Sequence, residues 1–260
     1  MCFELDSLPP IPALSGAAVS HEDLVLESAD GTRFAAFAAH PDEPGGTGVV
    51  VLPDVRGLYR FYEEARAAVR RARDRRGRDR LLRPDDRGGK RGDDFPYPEH
   101  VAQTTPEGIQ ADVRAAVEHL RGSAPAIFTV GFCFGGHHSW LAAAGGHGLR
   151  GAIGFYGVPG SRDGSPGPIE RAAEMEAPIL ALQAGADRNI TAAANAAFDE
   201  ALTKAGVEHE IVTYDGAPHS FFDRRQEDFA DASEDAWRRV LEFIRRVASA
   251  TAASSPRPPG

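Results

Sequence analysis

Cys133 stands in Gly131-Phe132-Cys133-Phe134-Gly135, a G-x-C-x-G string between an apolar run and a helix-forming stretch. Such a turn carries a nucleophile at its tip, with glycines two before and two after it where side chains would collide. The helix that follows directs its first N–H groups and its dipole at the sulfur. The alternative is a small buried hydrophobe in a Gly-rich turn, since unreactive cysteine is common in cores. A thiolate nucleophile needs a base, and the base needs an orienting carboxylate, in the chain order nucleophile, acid, histidine. Asp187 follows the run PILALQAGA, and His219 lies in Gly216-Ala217-Pro218-His219-Ser220-Phe221 after the run EHEIVTY. Taken singly, Asp187 also reads as a helix cap before Thr191 and His219 as a loop histidine. Three such residues at three strand ends point to acyl transfer.

The tetrahedral oxyanion of that chemistry needs two backbone donors, one from the residue after the nucleophile and one from the loop after an earlier strand. Phe134 and Val55 are the candidates. Asp54 in the same loop reads as a second acid near the thiol or as a loop-capping residue. His137 and His138 follow the turn without further ligands at matched spacing, so packing or surface roles are expected of them and no metal.

The elements that must position these groups follow from periodicity. DLVLESADGTRFAAFAA (Asp23 to Ala39) alternates about Asp30-Gly31 and predicts a hairpin. GVVVL, AIFTV, GAIGFY, PILAL and EHEIVTY read as buried strands. Helical spacing is expected over Pro106 to Leu120, after the turn to about Ala144, over Ala192 to Ala205 and over Phe229 to Val247. Strands alternating with helices predict an α/β fold with a mostly parallel, doubly wound sheet covered on both faces. One domain is expected over 1–248, with a low-complexity, disordered tail over 249–260.

A chain of 260 residues with 42% hydrophobic content suits one such domain. It holds no run of apolar residues long enough to span a membrane, and its start is acidic and Pro-rich, so membrane insertion and a secretory signal are not expected. Two cysteines, Cys2 and Cys133, exclude a disulfide framework and suit a cytoplasmic location. The net charge of −9 is uneven: Ala65 to Lys90 holds ten Arg and one Lys against four Asp, a surplus of +7, which leaves the rest near −16. Nucleic-acid binding would rest on that stretch alone and would be steeply salt-dependent; none is expected.

These motifs together resemble the dienelactone hydrolase family of α/β-hydrolases. VVVLPDVRGLYRFYEE, KRGDDFPYPEHV, VGFCFGG, GAIGFYG, ALQAGADRNI and GAPHSFFDR carry the resemblance, from about Val25 to Ile244. It implies an α/β-hydrolase fold and hydrolysis of small esters or lactones, such as 4-carboxymethylenebut-2-en-4-olide, with no cofactor. Cys133 would be the nucleophile, His219 the general base and then acid, and Asp187 its orienting carboxylate. Where family members carry an activating Glu, this sequence has Asp54, one methylene shorter. Asp223 stands where a substrate-binding Arg is expected, and Arg224 comes one later as its substitute. A protein that keeps the fold but uses Cys133 as a binding or redox-sensing thiol is the alternative.

The resemblance breaks off after Glu64 and resumes near Lys90, where the fold needs a helix and a strand. RLLRPDDR (Arg80 to Arg87) can be encoded CGA CTA CTT CGG CCG GAC GAC CGG; one base later, with a following G, this reads DYFGRTTG, a family-like string. A frame slip over about 65–88 would account for both the missing elements and the charge anomaly, leaving that segment irregular or non-native. Nucleotide sequence across codons 60 to 95 tests it: codons that cannot yield DYFG overturn the idea.

Overall fold

A computed structural model of the protein describes residues 19–41, 46–57, 77–79, 97–222 and 228–252. β1 (Val19–Glu27) and β2 (Arg33–Pro41) form the expected hairpin, registered from Glu27↔Arg33 to Val19↔Pro41. The other strands are β3 (Thr47–Leu52), β4 (Gly77–Asp79), β5 (Ala126–Phe132), β6 (Gly151–Phe155), β7 (Ile179–Ala184) and β8 (His209–Tyr214). They make one eight-stranded sheet in the order β1-β2-β4-β3-β5-β6-β7-β8. Pairing is antiparallel at β1-β2 and β2-β4 and parallel from β4 to β8.

β4 corrects one expectation. The arginine-rich text offered no strand, yet Arg78 pairs with Ala38 of β2 and Val50 of β3. Ladder hydrogen bonds come from the backbone, so three residues fill a sheet position that side-chain patterning did not mark. The remainder of segment 65–88 lies outside the described residues.

Along β3 the side-chain period of two divides the core: Val49 and Val51 join one buried cluster, Val50 and Leu52 the other. The helices are α1 (Tyr97–Val101), α2 (Pro106–Arg121), α3 (Phe134–Ala143), α4 (Ala192–Ala205) and α5 (Ala230–Ala252). α5 lays Trp237, Val240, Phe243, Ile244 and Val247 on the first cluster. α2 gives Ile109, Val113, Val117 and Leu120 to the second, and α4 gives it Phe198 and Leu202. Both helices start where capping chemistry marks them: Thr105 accepts from Gly108 N–H, and Thr191 from Ala194 N–H. α5 runs to Ala252, so Ser249 to Ala252 are helical where the tail was expected to begin. No described helix is long and apolar enough to cross a membrane.

Behind α3, His147 is buried, its Nε2 3.0 Å from Gln110 Oε1. Burial, with Arg114 and Arg121 adding to it, holds the imidazole at about 4 instead of 6.5. Between those values the unfolded chain binds a proton that the folded chain refuses, so stability falls as pH drops from neutrality toward 4. We expect the loss to total about 2 kcal/mol after allowance for partial solvent screening. Denaturant unfolding at pH 7 and pH 4.5 checks this, with His147→Gln expected to flatten the slope.

Candidate active site

The turn between β5 and α3 has the geometry that its glycines imply. Cys133 sits at φ 55° and ψ −112° at the N-cap of α3, a conformation that a non-glycine residue rarely adopts. Its N–H donates to Phe155 O at 3.0 Å, tying the turn to the end of β6. A Cβ on Gly131 would lie 1.9 Å from Gly135 O, and one on Gly135 would lie 2.1 Å from Leu52 O. Both obstacles are backbone, so only glycine fits at these two positions. The Cys133 side chain is partly buried and packs on the aromatic cluster that contains Phe132, Tyr156 and Phe221.

Two further strand ends bring Asp187 and His219 together. Asp187 lies in the loop after β7, and His219 in the loop after β8. His219 Nδ1 meets Asp187 Oδ2 at 2.5 Å, with the aspartate side chain 1% exposed and the histidine 32%. Asp187 Oδ1 accepts from Asn189 N–H at 2.8 Å and Ile190 N–H at 3.3 Å, while Thr191 is the cap of α4. The helix-cap alternative for Asp187 therefore gives way to a carboxylate aimed at His219. Burial works against ionisation of Asp187, but the hydrogen bonds from His219 and from the two backbone N–H groups outweigh it and hold the carboxyl below its ordinary value.

The loop after β3 abuts the turn. A Cβ on Gly135 would also lie 2.4 Å from Pro53 O, so the backbone of Gly135 packs against that of Leu52 and Pro53. Val55 and Phe134 also pack in the same cluster. Among the described residues no acceptor takes the Val55 N–H. Asp54 is fully buried, and its Oδ1 accepts from Arg56 N–H at 3.0 Å. That bond is the loop-capping role. Arg224 lies outside the described residues.

His137 and His138 are buried on α3. His137 Nδ1 lies 2.7 Å from Val158 O, and the His138 ring packs edge-on to Phe134 at 4.5 Å. Burial holds His138 well below the ordinary imidazole value, helped by His137 and Arg162. Among the described residues, no three His, Cys, Asp or Glu side chains converge as a metal would require. A cavity of about 250 Å³ is walled by Phe134, Ile109, His138 and Arg162, whose guanidinium sits 5.0 Å over the Phe134 ring.

Sequence reasoning passed over Tyr156, read only as the end of a strand. It is fully buried, adopts φ 37° and brings its ring to 5.0 Å from that of His219. Its position between β6 and Gly157, at another strand end, was the available signal.

The fold and the sequence both have counterparts among known proteins. The crystal structure of a "Putative Dienelactone Hydrolase" from Klebsiella pneumoniae superposes with a TM-score of 0.72 at 24% identity, over 88% of this chain and 99% of that one. The dienelactone hydrolase-like promiscuous phosphotriesterase P91, from metagenomic libraries, gives 0.72 at 18% identity over 89% and 99%. At these identities the likeness establishes the fold. Two curated relatives carry the name "Putative carboxymethylenebutenolidase". The one from Methylorubrum extorquens is 32% identical over 156 residues, covering 57% of this chain and 54% of its own length. The one from Escherichia coli is 35% identical over 129 residues, covering 48% of each. The chain thus spans about half the length of the curated relatives it matches. The model of the dienelactone hydrolase family matches residues 83–248, from inside the arginine-rich stretch into α5. That match takes in the turn, both of its partner loops and more than half of the sequence, and the chain belongs to the dienelactone hydrolase family.

Proposed function

We propose that this protein hydrolyses small esters or lactones through a Cys133-His219-Asp187 triad. The observation that carries the proposal is the 2.5 Å pairing of His219 with Asp187 beside the cluster on which Cys133 packs at the tip of its turn. With Nδ1 engaged by the carboxylate, Nε2 is the imidazole nitrogen that takes the thiol proton. The sulfur attacks the substrate carbonyl, and the oxyanion accepts from Phe134 N–H and Val55 N–H. Collapse breaks the bond to the leaving oxygen, which takes its proton from His219. Water, deprotonated by the same imidazole, then releases the acid and restores the thiol.

Asp54 would act as the second acid beside the sulfur, and Arg224 would hold a substrate carboxylate. The names of the curated relatives favour a carboxymethylenebutenolide as substrate. No cofactor enters these steps, and the two-cysteine composition suits a cytoplasmic enzyme. Rapid mixing with p-nitrophenyl acetate tests the covalent step. A burst of nitrophenol approaching one equivalent per chain is expected, followed by steady turnover and prevented by prior alkylation with iodoacetamide. Alkylation without any ester turnover would instead favour the thiol-sensor alternative.

A further inference from the structure

Four non-glycine residues among those described hold a positive φ: Cys133, Tyr156, Asp163 and Ser220. The first is the proposed nucleophile and the last adjoins the proposed base. Tyr156 has no part in the steps above, yet it keeps φ 37° with its ring wholly buried. Backbone strain of this kind persists only where surrounding structure imposes it, and it gathers at functional sites. Here the imposition is visible. Phe155 O accepts from Cys133 N–H at 3.0 Å, and Tyr156 N–H donates to Leu182 O at 2.8 Å. The backbone is thus fixed to the nucleophile turn on one side and to β7 on the other.

The side chain is confined as well. The Tyr156 ring lies 5.7 Å from that of Phe221, 5.9 Å from Phe155 and 6.5 Å from Phe132. The same ring lies 5.0 Å from that of His219, at an interplanar angle of 58°. Asp187 holds Nδ1 of that imidazole, and a bond to one ring nitrogen does not by itself set the plane of the ring. A caged aromatic ring beside the imidazole restricts that plane.

We propose that Tyr156 is a positioning residue whose caged ring, together with Asp187, fixes the His219 imidazole relative to the Cys133 thiol. The proposal rests on the reading of His219 as the base in ester hydrolysis.

Steady-state kinetics with p-nitrophenyl acetate tests it, at a temperature where far-UV circular dichroism shows each variant folded. Tyr156→Phe keeps the ring and should stay within about 3-fold of the parent. Tyr156→Leu removes it and should lower kcat by about 10- to 100-fold while KM changes less than about 3-fold, because misplacing a catalytic group affects the chemical step. Where Tyr156→Leu does not fold, Tyr156→Met, which keeps volume without a planar ring, carries the same expectation. Unchanged kcat in the ring-less variant, or an equal loss in Tyr156→Phe, overturns the proposal. Cys133→Ala separates the two levels. If it is inactive while Tyr156→Leu is unimpaired, positioning fails and the triad stands. If it remains active while Tyr156→Leu loses kcat and Tyr156→Phe does not, the nucleophile is wrong but the support of His219 by Tyr156 stands.

Discussion

Cys133→Ala is expected to lower kcat/KM for aryl esters by at least about 10³-fold, a loss of about 4 kcal/mol in transition-state stabilisation. The proposed covalent route runs through one sulfur, and what would remain without it is the polarising effect proposed for the Phe134 and Val55 N–H groups on a bound ester. The substitution should leave the fold intact. Glycine at 131 and 135 makes the sharp turn possible, and the bond from residue 133 N–H to Phe155 O needs no side chain. Comparing the ester kinetics of parent and variant, with melting temperature as a control, decides the matter. Turnover unchanged in folded Cys133→Ala would sink the covalent mechanism.

Asp187→Asn should be nearly as damaging, with kcat reduced about 10²- to 10⁴-fold and little change in KM. An amide in place of Oδ2 can present N–H to Nδ1 of His219. The imidazole then carries its proton on Nε2 and cannot accept one from the thiol. The acid side of the stability profile should change too. The folded carboxyl lies below its ordinary value of 3.8, so its ionised form stabilises the protein above that pH, and the contribution is lost as pH falls through the folded value. Unfolding of Asp187→Asn should accordingly be less sensitive to pH below about 4 than unfolding of the parent. Equal acid sensitivity would show that the 2.5 Å pair adds nothing to folded-state ionisation.

Much of this protein was legible in its text because the relevant signals are local. The G-x-C-x-G string marked the turn, since only glycine tolerates the backbone approaching within about 2 Å of where a Cβ would be. The central strands β3, β5, β6 and β7 were visible as short β-branched and apolar runs, buried on both faces. β4 was not legible, because Gly77–Asp79 contributes backbone bonds and no side-chain pattern. Nor was the environment of His137 and His138, for which a surface place was one expectation: burial depends on what packs over a helix, and α3 is covered along its whole length.

The sequence by itself determined which residue types could do chemistry and that each stood just past a strand, because composition and period operate within a few residues. Only the tertiary structure decided that Asp187 faces His219 rather than capping α4, since that choice depends on the loops after β7 and β8 meeting across 32 residues of chain. It also decided the conformation of Tyr156. A left-handed tyrosine is unfavourable as a local conformation and persists here because the nucleophile turn, β7 and three phenylalanine rings together leave it no other.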